Sequence, residues 1–207
     1  GGSGSSSGSS GAADAGDGGG EGGAEAGAVS CQTYCAAIMA SCTGANAQYG
    51  SVPECTNACN LLPQGAASDT TGNTVGCRIY HAGLAVTMPS PHCWHAGPYG
   101  YGVCGGQCES FCTLATGWCS AASGFDGGAP PYASLADCTT ACGGYATVSS
   151  SDGGPVAVDG GYTATGPAAG NTLDCREYHL GAALTGSGAT MQQLHCPHVA
   201  MTSATCH

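Results

Sequence analysis

Hydrophobic periodicity divides the chain into a stretch that has none and a body in which cysteine carries the pattern. Residues 1–30, "GGSGSSSGSSGAADAGDGGGEGGAEAGAVS", contain no aromatic residue and no apolar repeat. Such a composition cannot bury enough surface to offset its ordering entropy, so it predicts a flexible Gly/Ser/acidic tether. After it, the spacing Cys-x3-Cys-x6-Cys sets Cys31, Cys35 and Cys42 within a stripe of roughly 40° on a helix. Cys108, Cys112 and Cys119 repeat the stripe, and Tyr34 and Phe111 hold matching positions beside it.

A second helix is predicted where "SVPEC" and "SLADC" stand. Ser51 with Glu54, and Ser134 with Asp137, have the spacing of a capping box, Asp replacing the usual Glu in the second. A third begins near "GNTVGC" and "GNTLDC", with Asn73/Thr74 and Asn171/Thr172 as cap candidates. It runs through Val86 in one case and about Leu184 in the other.

These matches describe a tandem repeat. The first copy holds Cys31, Cys35, Cys42, Cys55, Cys59, Cys77, Cys93 and Cys104; the second holds Cys108, Cys112, Cys119, Cys138, Cys142, Cys175, Cys196 and Cys206. The expected organisation is a tether (1–30), a first repeat (31–105) and a second repeat (106–207) with a Gly/Ser-rich surface-loop insertion near 143–170. The fold class is mainly α and disulfide-rich: two tandem small three-helix repeats with long Gly-rich loops. Each repeat is small for a self-sufficient core, and covalent staples are expected.

An even number of cysteines at this density means metal clusters in a reducing compartment and disulfides in an oxidising one. Neither a zinc-type Cys-x2-Cys pair nor a Cys-x-x-Cys-His haem site occurs. The cysteines therefore read as disulfides, and the location as extracellular or cell surface. Two Cys-x3-Cys helices running antiparallel would be clamped by Cys31–Cys59 and Cys35–Cys55, and by Cys108–Cys142 and Cys112–Cys138. Each clamped pair resembles, in scaffold only, the twin Cys-x3-Cys hairpins of plant hairpinin peptides and small mitochondrial Tim chaperones. Cys42–Cys77 and Cys119–Cys175 would tie the third helix to the hairpin, and Cys93–Cys104 and Cys196–Cys206 would close the last loops. Eight cysteines admit roughly a hundred connectivities, so this pairing is a preference.

An acidic tether ahead of a Cys-rich body also resembles bacterial surface lipoproteins after their lipid-modified cysteine, which implies a lipid tether. An engineered linker is the competing source of the Gly/Ser string. No run of eighteen apolar residues exists, so no transmembrane segment is expected, and a signal segment is expected to have preceded Gly1.

Two basic against 13 acidic side chains leave a formal charge of −11, which disfavours nucleic acid and anionic lipid as electrostatic partners. No paired carboxylates stand out and the cysteines read as oxidised, so a hydrolase lacks its parts; a His-dependent metalloenzyme is a third class and would need a substrate pocket.

Six of the seven histidines occupy matching places: His81, His92 and His95, then His179, His195 and His198. Three imidazoles on a stapled scaffold can make a Cu or Zn site with an open position, or ligate haem. They can equally be core residues bonded to backbone carbonyls. "SATCH", ending at His207, has only a superficial likeness to covalent haem sites.

The only basic residues, Arg78 and Arg176, each lie three residues before a matched histidine. One expected partner is an internal carboxylate, Glu54 or Asp137, in a bidentate pair. The other is an external anion such as a haem propionate. The functional reading is an extracellular metal- or haem-binding protein serving capture or electron transfer. The rival is a structural or adhesive module, or a self-assembling filament subunit.

Overall fold

The structure, a computed structural model, describes residues 1, 2, 28–146, 168–186 and 189–207. Most of the expected tether and of the 143–170 insertion lies outside these residues. Eight α-helices follow in order among the described residues: α1 (Cys31–Ser41), α2 (Val52–Cys59), α3 (Val75–Ala85), α4 (Pro89–Ala96), α5 (Gln107–Trp118), α6 (Leu135–Cys142), α7 (Leu173–Leu184) and α8 (Ala189–Val199). Among the described residues there is no strand, only one isolated bridge between Ala146 and Thr172. None of the described helices is long and apolar enough to cross a membrane. The protein is mainly α and disulfide-rich.

The helix starts follow from side-chain caps. Ser51 Oγ accepts from Glu54 N at 3.3 Å, and Glu54 Oε2 accepts from Gly50 N at 2.8 Å. Ser134 accepts from Asp137 N and donates to its carboxylate. Thr74 and Thr172, rather than Asn73 and Asn171, cap α3 and α7 by accepting from Cys77 N and Cys175 N. The two asparagines serve the arginines instead.

All sixteen cysteines are paired. The hairpin clamps are Cys31–Cys59, Cys35–Cys55, Cys108–Cys142 and Cys112–Cys138, as the antiparallel argument expects. The other four bonds correct the sequence preference. Cys42 bonds Cys93 and Cys119 bonds Cys196; Cys77 bonds Cys104 and Cys175 bonds Cys206. The reason is a helix that the spacing did not announce. α4 folds back along α1, with Tyr34 Oη in the first turn of α1 donating to Ala96 O at 2.6 Å and Cys93 reaching Cys42 at its far end. Cys77, near the start of α3, is left to meet the closing loop at Cys104. In each set of eight the order is first to fifth, second to fourth, third to seventh and sixth to eighth.

One apolar core joins both sets, with Tyr34, Ile38, Phe111, Leu114, Leu173, Leu180 and Leu184 fully buried in it. Hydrogen bonds run between and within the sets. Asn57 Nδ2 donates to Leu184 O at 2.9 Å, Trp118 Nε1 to Ala183 O at 3.0 Å, and Tyr99 Oη to Glu177 O at 3.1 Å. The first and last of these seat α7 against the first set's elements, while Trp118 ties α5 to α7 within the second.

Candidate metal centre

His81 lies on α3, while His92 and His95 lie on α4. An i, i+3 spacing puts the latter two on one helix face. The Cys42–Cys93 bond ties that helix to the end of α1. α7 supplies His179, and α8 supplies His195 and His198, with Cys196 bonded to Cys119 in the same way. The structure therefore brings each expected triplet together, with one ligand atom per ring all within 4.8 Å of one another.

Ring nitrogens converge in a defined sense. His81 Nε2 is 3.1 Å from Thr70 O, and its Nδ1 is 2.9 Å from His92 Nδ1. A carbonyl can only accept, so His81 carries its proton on Nε2 and turns an Nδ1 lone pair into the cluster. His179 repeats this with Ala168 O at 3.1 Å. Its Nδ1 lies 3.0 Å from His195 Nδ1 and 3.2 Å from His198 Nδ1. His95 Nδ1 is buried without a hydrogen-bond partner. The ring geometry matches as well: interplanar angles are 27° for His81–His92 and 31° for His179–His195, with the third ring edge-on in each cluster.

Burial lowers the pKa of His81, His179 and His195, and brings that of His95 down to about 4. The neighbouring imidazoles push in the same direction. These rings are neutral at physiological pH, the form that ligates metals. A tetrahedral ion with metal–nitrogen bonds of 2.0–2.1 Å needs ligand nitrogens about 3.3 Å apart, close to the observed spacings. The Thr70 and Ala168 carbonyls are the outer partners that fix a ligating imidazole's tautomer. Sequence reasoning missed both, because a backbone carbonyl leaves no mark in the residue pattern.

A second grouping, Cys77–His81–Cys104 and its match Cys175–His179–Cys206, is equally compact. Its sulfurs are tied up in disulfides and offer no thiolate.

The arginines are fully buried. Arg78 donates from Nε to Gly97 O at 3.1 Å, from Nη1 to Thr74 O at 3.2 Å, and from Nη2 to Pro98 O at 3.0 Å and Asn73 Oδ1 at 2.9 Å. Ser110 Oγ also accepts from Nη2. Arg176 donates to Thr172 O, Asn171 Oδ1 and Cys206 O, and its guanidinium lies 3.7 Å from the Tyr145 ring centroid. The expected carboxylate partners are engaged elsewhere, Glu54 with Gly50 N and Asp137 with Ser134. Arg78 thus gathers the carbonyls that follow α4 and fixes that helix's exit.

Fold and centre together define a disulfide-rich helical protein with two compact histidine clusters. Eight disulfides are the chemistry of an oxidising, extracellular or secretory compartment. The BfoA family C-terminal domain matches residues 24–110, a span that includes the first eight cysteines and Cys108. The chain is also 33% identical over 82 residues to an EGF-like domain-containing protein of Acanthamoeba polyphaga mimivirus. That similarity covers 38% of this chain and 15% of the viral protein's length. No solved structure matches.

Proposed function

We propose that residues 31–105 and 106–207 are tandem copies of one disulfide-stapled unit, each holding a divalent transition-metal ion on its three histidines. The observation that carries this reading is the repeated convergence of Nδ1 atoms at 2.9–3.2 Å, with the opposite nitrogen of His81 and His179 bonded to a carbonyl. Imidazole donors suit Cu(II) and Zn(II), with Cu(II) favoured by the general affinity order. Haem fits less well, because nitrogens this close leave no room for a macrocycle between two axial ligands. The role is capture or storage of the ion outside the cell, with residues 1–30 as a tether.

The competing reading is a structural or adhesive module in which His92 simply donates Nδ1–H to His81. Calorimetric titration of chelator-treated, fully oxidised protein with Zn(II) and Cu(II) separates the two. Two equivalents should bind, falling to one in His92→Ala/His95→Ala with unchanged helical circular dichroism. Binding that is absent, or equal in that variant, would leave the histidines as core residues.

A further inference from the structure

Each cluster, among the described residues, offers three ring nitrogens with no carboxylate or free thiolate grouped beside them. Among the described residues, the compact metal-capable groups at each cluster comprise the three histidines, or one histidine with two disulfide sulfurs. Glu54 and Asp137 are held at helix starts by Gly50 and Ser134. The Thr70 and Ala168 carbonyls accept from Nε2, on the ring edge away from the converging Nδ1 atoms. A tetrahedral ion on three nitrogens keeps one vertex open.

Two of the three rings in each cluster are partly exposed, which sets the clusters at the surface of the fold. His81 and His179 form a floor, 6% and 5% exposed, whereas His92, His95, His195 and His198 are half-buried at the rim. Charge then selects the occupant. Three neutral imidazoles leave a divalent ion its full +2, uncompensated by any carboxylate or thiolate in the cluster. A water at such a position has its pKa drawn toward about 7 and exchanges with solutes.

We infer that each metal-loaded histidine centre binds one small monodentate anion from solution at this fourth position. The inference rests on the metal reading above. The step is a ligand substitution without electron transfer: the metal–water bond breaks, a metal–anion bond forms, and water leaves.

The test uses azide as the probe on full-length, fully oxidised protein loaded with Cu(II), followed by absorption and electron paramagnetic resonance. Copper is first shown to be retained by metal analysis after desalting. Azide should then add a saturable charge-transfer band and shift the copper resonance, with about two azides bound per chain. In His92→Ala/His95→Ala, which removes one centre, band amplitude should fall about twofold. Copper that stays bound while spectrum and resonance ignore azide would show a coordinatively closed site, overturning this inference and leaving the metal reading intact. Failure to retain copper at all would overturn both. Azide that strips the copper, seen as loss of metal on a second desalting, would also contradict a held fourth position.

Discussion

His81 stands between two partners with opposite demands: its Nε2 donates to Thr70 O at 3.1 Å while its Nδ1 meets His92 Nδ1 at 2.9 Å. The buried ring is both a structural strut and the floor of the cluster. Replacing it should therefore cost stability as well as metal. His81→Ala removes a buried ring and its hydrogen bond to Thr70 O, and is expected to lose about 0.5–1.5 kcal/mol in denaturant unfolding. His92→Ala, at the half-buried rim, should lose metal at one centre with little change in metal-free stability. Urea unfolding with and without Zn(II) checks the contrast.

Arg78 makes five hydrogen bonds in a fixed fork, a geometry that an ammonium cannot copy. Arg78→Lys should destabilise by about 2–4 kcal/mol, since several buried acceptors lose their donor at once. The measurement is again equilibrium unfolding. A variant as stable as the parent would mean that these carbonyls find water or other donors easily.

Disulfide connectivity is open to direct mapping. Proteolysis of unreduced protein followed by mass spectrometry should recover peptides linking Cys42 to Cys93 and Cys119 to Cys196. Recovery of Cys42 linked to Cys77 would mean that α4 does not return over α1.

Glu54 gives the protein a pH signature. Burial raises its pKa to about 7, against the ordinary 4.5, although Gly50 N and Ser51 N partly oppose this. A carboxyl whose folded pKa is raised stabilises the fold most where it is protonated, and that contribution is lost as pH climbs through about 7. Metal-free protein should thus lose on the order of 2–3 kcal/mol from this group between pH 5 and pH 8. His95, lowered to about 4 by burial, acts oppositely: its contribution is present above 6.5 and fades as pH falls toward 4. The two windows overlap and the two effects largely offset, so the parent's profile should be shallow, whereas Glu54→Gln should remove the fall on the alkaline side and leave stability rising to a plateau above about 6.5. An unchanged alkaline slope in that variant would assign the effect elsewhere.

The legible parts of the fold are those whose signals sit in side chains. Ser51, Ser134, Thr74 and Thr172 mark helix starts by their oxygen atoms, and the Cys-x3-Cys spacing marks antiparallel clamps. α4 was illegible because "PSPHCWHA" has no apolar stripe, and its position depends on Tyr34 reaching Ala96 O. The bonds of Cys42 and Cys77 were lost with it, since spacing says nothing about which helix returns. The histidine triplets could be named from their repetition, and the geometry does bring them together. The partners of Arg78 and Arg176 could not, because they are mostly backbone carbonyls placed by tertiary packing.

The measurement that tests the central claim most directly is zinc X-ray absorption on Zn(II)-loaded, fully oxidised protein. The account predicts a shell of three imidazole nitrogens and one light atom at about 2.0–2.1 Å, with the outer scattering of imidazole rings. A sulfur shell near about 2.3 Å, or a shell of oxygens without ring scattering, would contradict a three-histidine centre.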